Sequence, residues 1–233
     1  MKYGRLGFHL IRQDQHELKG MNNKNNLDNG IFKWLEWARE IQAISQTGLH
    51  YAENNYQAQR YARLLEISAE IIGGHTDIDR SDLVRIFNQQ IGYATPRIDV
   101  RGAVFQAGNL LLVRERLDGG WTMPGGWVDV GDTPSGAVER EVYEESGFVV
   151  KARKIIGVYD ANRTGPLEVF HAFKIVFLCD ILSGQARTSD ETSEVNFFPE
   201  SGLPEILSGE RTTPRHLEDA FKSLSNDRPT YFD

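Results

Sequence analysis

The segment GGWVDVGDTPSGAVEREVYEESGF, Gly125 to Phe148, constrains this chain more than any other. Thr133 followed by Pro134 marks a helix start, because the threonine oxygen can accept from the free amides of the first turn and proline is tolerated there. Gly147 marks a helix stop. The segment therefore predicts a helix over Pro134–Ser146, with Val138 and Val142 as the stripe that faces a sheet. Glu141, Glu144 and Glu145 fall within an arc of roughly 100° beside that stripe. Like charges three or four residues apart on a helix repel by roughly 0.2–0.5 kcal/mol per pair in water, and by more at a buried edge. A positive partner is required. Arg140 alone cannot neutralise three carboxylates, whereas hard oxygen ligands at the rim of a core suit Mg²⁺ or Mn²⁺. The glycines ahead of the helix supply a backbone that a phosphate or a metal can approach closely.

The chain has 233 residues, 40% of them hydrophobic, which is enough for one large or two small domains with proper cores. A formal charge of −7 argues against general binding of nucleic acid or acidic membrane. No run has the unbroken apolar length of a membrane span or the pattern of a signal peptide, and Cys179 is the only cysteine, so a reducing cytoplasm is the expected location. Cys179 lies in FKIVFLC and reads as a core strand residue.

Residues 1–30, rich in Asn, read as a disordered extension, and Met21 is a second candidate initiator. Residues 31–92 read as a small helical domain. KWLEWAREIQAISQTGL and QRYARLLEISAEII carry helical spacing, Gly73-Gly74 ends the second helix, and SDLVRIFNQQIG forms a third with Ser81 as its cap. Trp34, Trp37, Tyr51, Tyr56 and Tyr61 fit a packing or dimerisation element better than a base-stacking surface. From residue 97 to 233 the pattern is that of a mixed α/β domain. Strands are expected at Val100–Phe105, Asn109–Arg114, Ile155–Val158, Phe170–Cys179 and Asn196–Phe198, and a last helix starts at Thr213-Pro214.

Gly126, five residues, Asp132, seven residues, then Arg140-Glu141-Val142-Tyr143-Glu144-Glu145-Ser146-Gly147-Phe148 resembles the Nudix box, with Asp132 in place of the usual first glutamate. The resemblance implies an α/β/α sandwich with a mixed sheet, preceded here by the helical domain. It also implies metal-dependent hydrolysis of a nucleoside diphosphate linked to another group. By the same resemblance Glu141 and Glu145 are metal ligands, Glu144 is a further ligand or a water-orienting carboxylate, the Gly125 carbonyl adds a ligand, and Arg140 holds the glutamates in place. Glu194 matches the late-loop glutamate that serves as base or extra ligand in many members, with Glu191 as its rival, and Glu194 is favoured over Glu144 as the group that takes the proton of the attacking water.

WLEWAREIQAISQTGL, GYATPRIDVRGAVF, PGGWVDVG and EVFHAFKIVFLCD further resemble a bacterial Nudix subgroup that includes CDP-choline and ADP-ribose pyrophosphatases. Asp160, Arg163 and His171 then become candidate substrate contacts. Arg101, Arg114 and Arg116 are candidates for the phosphates, and Trp121 for a base. CDP-choline is the favoured substrate, because Trp127, Tyr159 and Asp160 can surround a quaternary ammonium. ADP-ribose hydrolysis and a non-catalytic nucleotide-sensing module are the alternatives. A homodimer, built through the helical domain, is the expected assembly.

Overall fold

The structure is a computed structural model that describes residues 27–28, 31–161, 170–209, 211–224 and 229–233. The expected extension, Met21 and Arg163 lie outside these residues, apart from the short ladder of β1 (Leu27–Asp28) with β2 (Ile31–Phe32). Contacts divide the chain into two units, residues 1–95 with 167–170, and residues 96–166 with 171–233. Among the described residues, no helix is long and apolar enough to cross a membrane.

Among the described residues, the first unit has three helices: α1 (Lys33–His50), α2 (Asn55–Gly73) and α3 (Arg80–Asn88). Leu35, Ala38, Leu65, Ala69, Ile72 and Leu83 meet in its core, and Ser68 Oγ donates to Ala38 O at 2.7 Å to tie α2 to α1. Gly74 caps α2 as the paired glycines suggest. For α3 the cap is Asp79 rather than Ser81: the Asp79 carboxylate accepts from the Ser81 amide at 2.7 Å, so the cap lies two residues earlier than the serine reading places it. Both side chains can cap, and the acidic one also favours the positive end of the helix.

The second unit is a mixed sheet between two helices. Its strands are β3 (Arg97–Gln106), β4 (Asn109–Glu115), β5 (Trp121–Thr122), β6 (Gly125–Trp127), β7 (Phe148–Asp160), β8 (Ala172–Gly184), β9 (Thr192–Phe198) and β10 (Tyr231–Phe232). They run in the order β10-β7-β8-β3-β4-β5, with β6 also on β3 and β9 also on β4. Helix α4 (Pro134–Ser146) covers one face, where Val100, Val104, Val138, Val142 and Phe177 pack together, with Cys179 buried among them. Helix α5 (Pro214–Lys222) covers the other, over Ala103, Leu112, Met123, Tyr159 and Val176. Thr133 caps α4, Gly147 ends it in the left-handed conformation, and both limits fall where the sequence puts them. Helix α4 lies so close to β3 that a Cβ at Gly102 would come within 2.5 Å of Val142 Cγ2.

Strands β7 and β8 are longer than the sequence suggests, because they form a 13-residue antiparallel ribbon with three register shifts, and exposed Lys151, Arg153, Asp180 and Ser183 interrupt its apolar pattern. Tyr159 belongs to the core under α5: it is fully buried and its hydroxyl donates to Asp219 at 2.9 Å. It therefore offers no face to a ligand cation.

His216 on α5 gives the fold a defined acid limit. Its Nδ1 accepts from the Thr213 amide at 3.2 Å, and burial, reinforced by the nearby Lys174 cation, pushes its pKa down to about 3. The unfolded imidazole titrates near 6.5 and takes up a proton that the folded one refuses. Stability from this residue is therefore complete above about pH 6.5 and declines as pH falls toward 3, by about 2 kcal/mol at pH 5. Urea midpoints at pH 7.5 and 5 should show this loss, and His216→Gln should reduce the difference between them. An unaltered difference in the variant would place the acid sensitivity elsewhere.

Candidate active site

The site is assembled where α4 meets the turn leading into β6. Val138 and Val142 point into the core, and this rotation carries the neighbouring glutamates to the helix edge in graded burial. Glu145 is 5% exposed, Glu141 is half-buried, and Glu144 is exposed. The three are not equivalent, as the arc alone suggests they are.

Glu145 and Glu141 both lie against the glycine pair. The Gly125 amide donates to Glu145 Oε2 at 2.9 Å, and a Cβ on Gly126 would fall 2.9 Å from Glu141 Oε2. Gly125 has φ +151°, and a side chain there would strike Val100 O at 2.0 Å. Only glycine lets this backbone press onto β3 while receiving carboxylates from α4. Arg140 gathers the remaining acids: its guanidinium is 2.7 Å from Glu141, 3.2 Å from Asp132, 3.4 Å from Glu144 and 3.7 Å from Asp129. The shorter Asp132 thus still reaches the arginine that a glutamate would hold.

Burial raises the pKa of both inner carboxyls. Glu145 is pushed up to about 8, chiefly by desolvation and against the pull of Arg101, and Glu141 is raised by desolvation against the pull of Arg140. Two carboxylates whose ionised forms are disfavoured by desolvation, beside an approachable backbone, suit a hard divalent cation. Among the described residues, no three His, Cys, Asp or Glu side chains stand in a ready-made coordination cluster. Arg140 draws Glu144 outward while Gly125 draws Glu145 inward.

The other residues singled out from sequence fall into separate groups. Glu194 faces Arg114 across the β4–β9 ladder, with Arg114 Nη1 2.6 Å from Glu194 Oε1 and Arg114 Nε donating to Gly119 O at 2.9 Å. The same strand reaches α4 through Thr192, whose hydroxyl donates to Glu145 O at 2.8 Å. Arg116 and Glu191 are joined through backbone, Arg116 N to Glu191 O at 2.8 Å. Asp160 and His171 approach each other, Oδ1 to Nε2, at 3.4 Å. Trp121 packs edge-on against Phe198 with ring centroids 4.8 Å apart, whereas Trp127 is 45% exposed with the Arg97 guanidinium 6.0 Å from its ring centre. Arg101 is 3% exposed and bonded to Asp99, so it does not reach the surface as a phosphate contact must.

Glu115 was not indicated by the sequence motifs. It is buried, pairs with Arg211 at 3.3 Å, and adds a carboxylate to the surroundings of Glu145. Its only sequence signal is a charge closing the apolar run NLLLVRE.

Residues 95–217 match the family model of the NUDIX domain, and residues 32–87 match that of a UDP-X-like N-terminal oligomerisation domain. The chain belongs to the Nudix hydrolase family. A Bacillus subtilis protein whose provisional name is ADP-ribose pyrophosphatase is 38% identical to this Nudix hydrolase, over 86% of the chain and 97% of the relative. The crystal structure of a UDP-X diphosphatase is 30% identical with a TM-score of 0.57, covering 86% of this chain and 98% of that one. A Streptococcus suis ADP-ribose pyrophosphatase is 34% identical with a TM-score of 0.55, covering 60% and 100%. Nudix hydrolases in general require divalent metal ions, and the donor set around Gly125 and Gly126 fits that requirement.

Removal of one inner carboxylate tests the site. Glu145→Gln in this Nudix hydrolase should keep the fold and lower turnover by on the order of a hundredfold or more, the scale of losing a principal electrostatic contributor. Steady-state rates with saturating Mg²⁺ would measure it, and parent-like turnover would remove Glu145 from the active centre.

Proposed function

We propose that this Nudix hydrolase cleaves the diphosphate of a nucleoside diphosphate linked to a second moiety, with Mg²⁺ or Mn²⁺ held by Glu141, Glu145 and the Gly125 carbonyl. The observation that carries the reading is the convergence of Glu141 and Glu145 on the backbone of Gly125 and Gly126. The bound ion supplies positive charge to the pyrophosphate oxygens and to the attacking water. Arg140 keeps Glu141 and Glu144 from separating, through charge-assisted hydrogen bonds. Glu194 accepts the proton of the attacking water, and Arg114 meets the departing phosphate.

ADP-ribose is the first substrate to test, since that activity is in the names of the Bacillus subtilis and Streptococcus suis relatives. CDP-choline is the second reading, favoured by the half-exposed Trp127 and by the Asp160 carboxylate. Burial of Tyr159 leaves that reading two of the three groups it drew on. Incubation with ADP-ribose, CDP-choline and UDP-sugars, with both products identified, should show cleavage between the two phosphorus atoms to a nucleoside monophosphate and a phosphorylated partner. Release of inorganic pyrophosphate or inorganic phosphate instead would refute the reading.

The assembly is read as a homodimer, in keeping with the oligomerisation domain matched at residues 32–87. Trp37, Ile44 and Tyr51, each seven positions from the next, are all more than half exposed along α1 and the residue after it. Such an apolar row on a helix is what a second copy covers. Trp37→Glu with Ile44→Glu should turn a dimer into a monomer in light scattering without loss of helix content. A parent that runs as a monomer at micromolar concentration would overturn this assembly.

A further inference from the structure

Behind Glu145 lies a group of buried charges on the α5 face of the sheet. Arg101 binds Asp99 through two hydrogen bonds, Nε to Oδ1 at 2.9 Å and Nη2 to Oδ2 at 2.7 Å, and Nη1 donates to Met123 O at 3.4 Å. Lys174, opposite Asp99 in the parallel β3–β8 ladder, donates to the same carboxylate at 3.0 Å. All three side chains are only 4–5% exposed. Taking ions out of water costs several kcal/mol each before pairing, and apolar residues of similar volume often fold as well or better. Stability is therefore a poor account of why three charges sit here.

The register supplies a better one. Arg101 is the Cα partner of Gly125, and Gly125 is the residue whose amide holds Glu145. The two backbones are so close that a Cβ on Gly125 would fall 2.9 Å from Arg101 Cα. A continuous path thus runs from Lys174 through Asp99, Arg101 and Gly125 to Glu145, with two cations sharing one carboxylate at its far end.

We propose that Asp99, Arg101 and Lys174 form a buried positioning group that sets how strongly Glu145 holds a divalent cation. The proposal rests on the reading of Glu145 as a metal ligand. Asp99 fixes the Arg101 guanidinium by a two-point bond and offsets one of the two positive charges behind Glu145. Neutralising Asp99 leaves the charges of Arg101 and Lys174 uncompensated behind Glu145, facing the incoming ion. Removing Lys174 takes one positive charge from the same side, so the ion is repelled less. For a divalent ion about 10 Å from a unit charge, an effective dielectric of about 40, between the protein and water limits, changes an affinity by on the order of tenfold.

The test is Mn²⁺ binding alone, without substrate, followed through the electron paramagnetic resonance signal of the free ion. Asp99→Asn should weaken binding by about tenfold and Lys174→Met should strengthen it severalfold, the scale of one such charge. The double variant, with the charge balance restored, should return toward the parent. Melting temperatures from circular dichroism serve as the control, because a merely structural role weakens Mn²⁺ binding in both single variants as stability falls. If Asp99→Asn does not fold, Lys174→Met still decides: weaker or unchanged binding there overturns the proposal. Glu145→Gln separates the two readings. Unchanged Mn²⁺ binding in that variant removes the metal ligand itself, whereas weakened binding there without opposite effects at Asp99 and Lys174 removes only the positioning group.

Discussion

The contact of Gly125 with strand β3 is the constraint on which the site depends. Its backbone at φ +151°, pressed against Val100 O and Arg101 Cα, leaves no space for a Cβ. The Gly102 amide donates to Pro124 O at 2.8 Å and fixes the turn from the other side. Gly102 itself admits Val142, so the same few residues of β3 receive the turn at its edge and α4 on its face. Because both elements are seated on one strand, the carboxylates of α4 reach the amide of Gly125 without a flexible connection between them. Packing and chemistry share this contact. A substitution at either glycine would disturb both together.

Two arginines balance the acids in different dielectric surroundings. Arg140 is about a third exposed and shared among Glu141, Glu144, Asp129 and Asp132, so each of its bonds is solvent-screened and replaceable. Arg101 is buried and held by one carboxylate in a two-point geometry. The outer arginine can adjust when a cation arrives, while the inner one acts as a fixed charge. Glu145 sits between these regimes, with desolvation raising its pKa and Arg101 opposing the rise. The proposed role of Glu145, exchange of a proton for a cation, calls for such a balance.

What the sequence revealed and what it concealed follow the range of the interactions. Both ends of α4 were legible because caps are made by residues within three or four positions, Thr133 with Gly136 and Gly147 with Tyr143. The cap of the third helix lies two residues from its expected place because Asp79 and Ser81 are both competent caps, and only the backbone decides between them. Arg101, Arg114 and Arg116 look alike as strand arginines. Their fates differ because Arg101 shares its face with Ala103 and Met123 under α5, while Arg114 faces Glu194 near the sheet edge. Tyr159 and Asp160 are neighbours in sequence, yet alternation along β7 sends the tyrosine beneath α5 and the aspartate toward His171. Tyr159 and Asp219 are 60 positions apart and Arg114 and Glu194 are 80 apart, and no local pattern names such partners.

The pairing of Arg114 with Glu194 bears on how the proposed hydrolysis would be timed. Both side chains are over 40% exposed, so their 2.6 Å ion pair contributes little to stability, on the order of 0–1 kcal/mol. A diphosphate esterified at both ends, with one negative charge on each phosphate, competes well for an arginine under those conditions, since together the two phosphates offer more charge and more acceptor oxygens than one carboxylate. In the proposed reaction, an arriving diphosphate therefore takes Arg114 from Glu194 and leaves the glutamate available to a water. The bond from Arg114 Nε to Gly119 O remains to hold the arginine near β4. The two residues would then be coupled through substrate, each becoming competent only when the other is released.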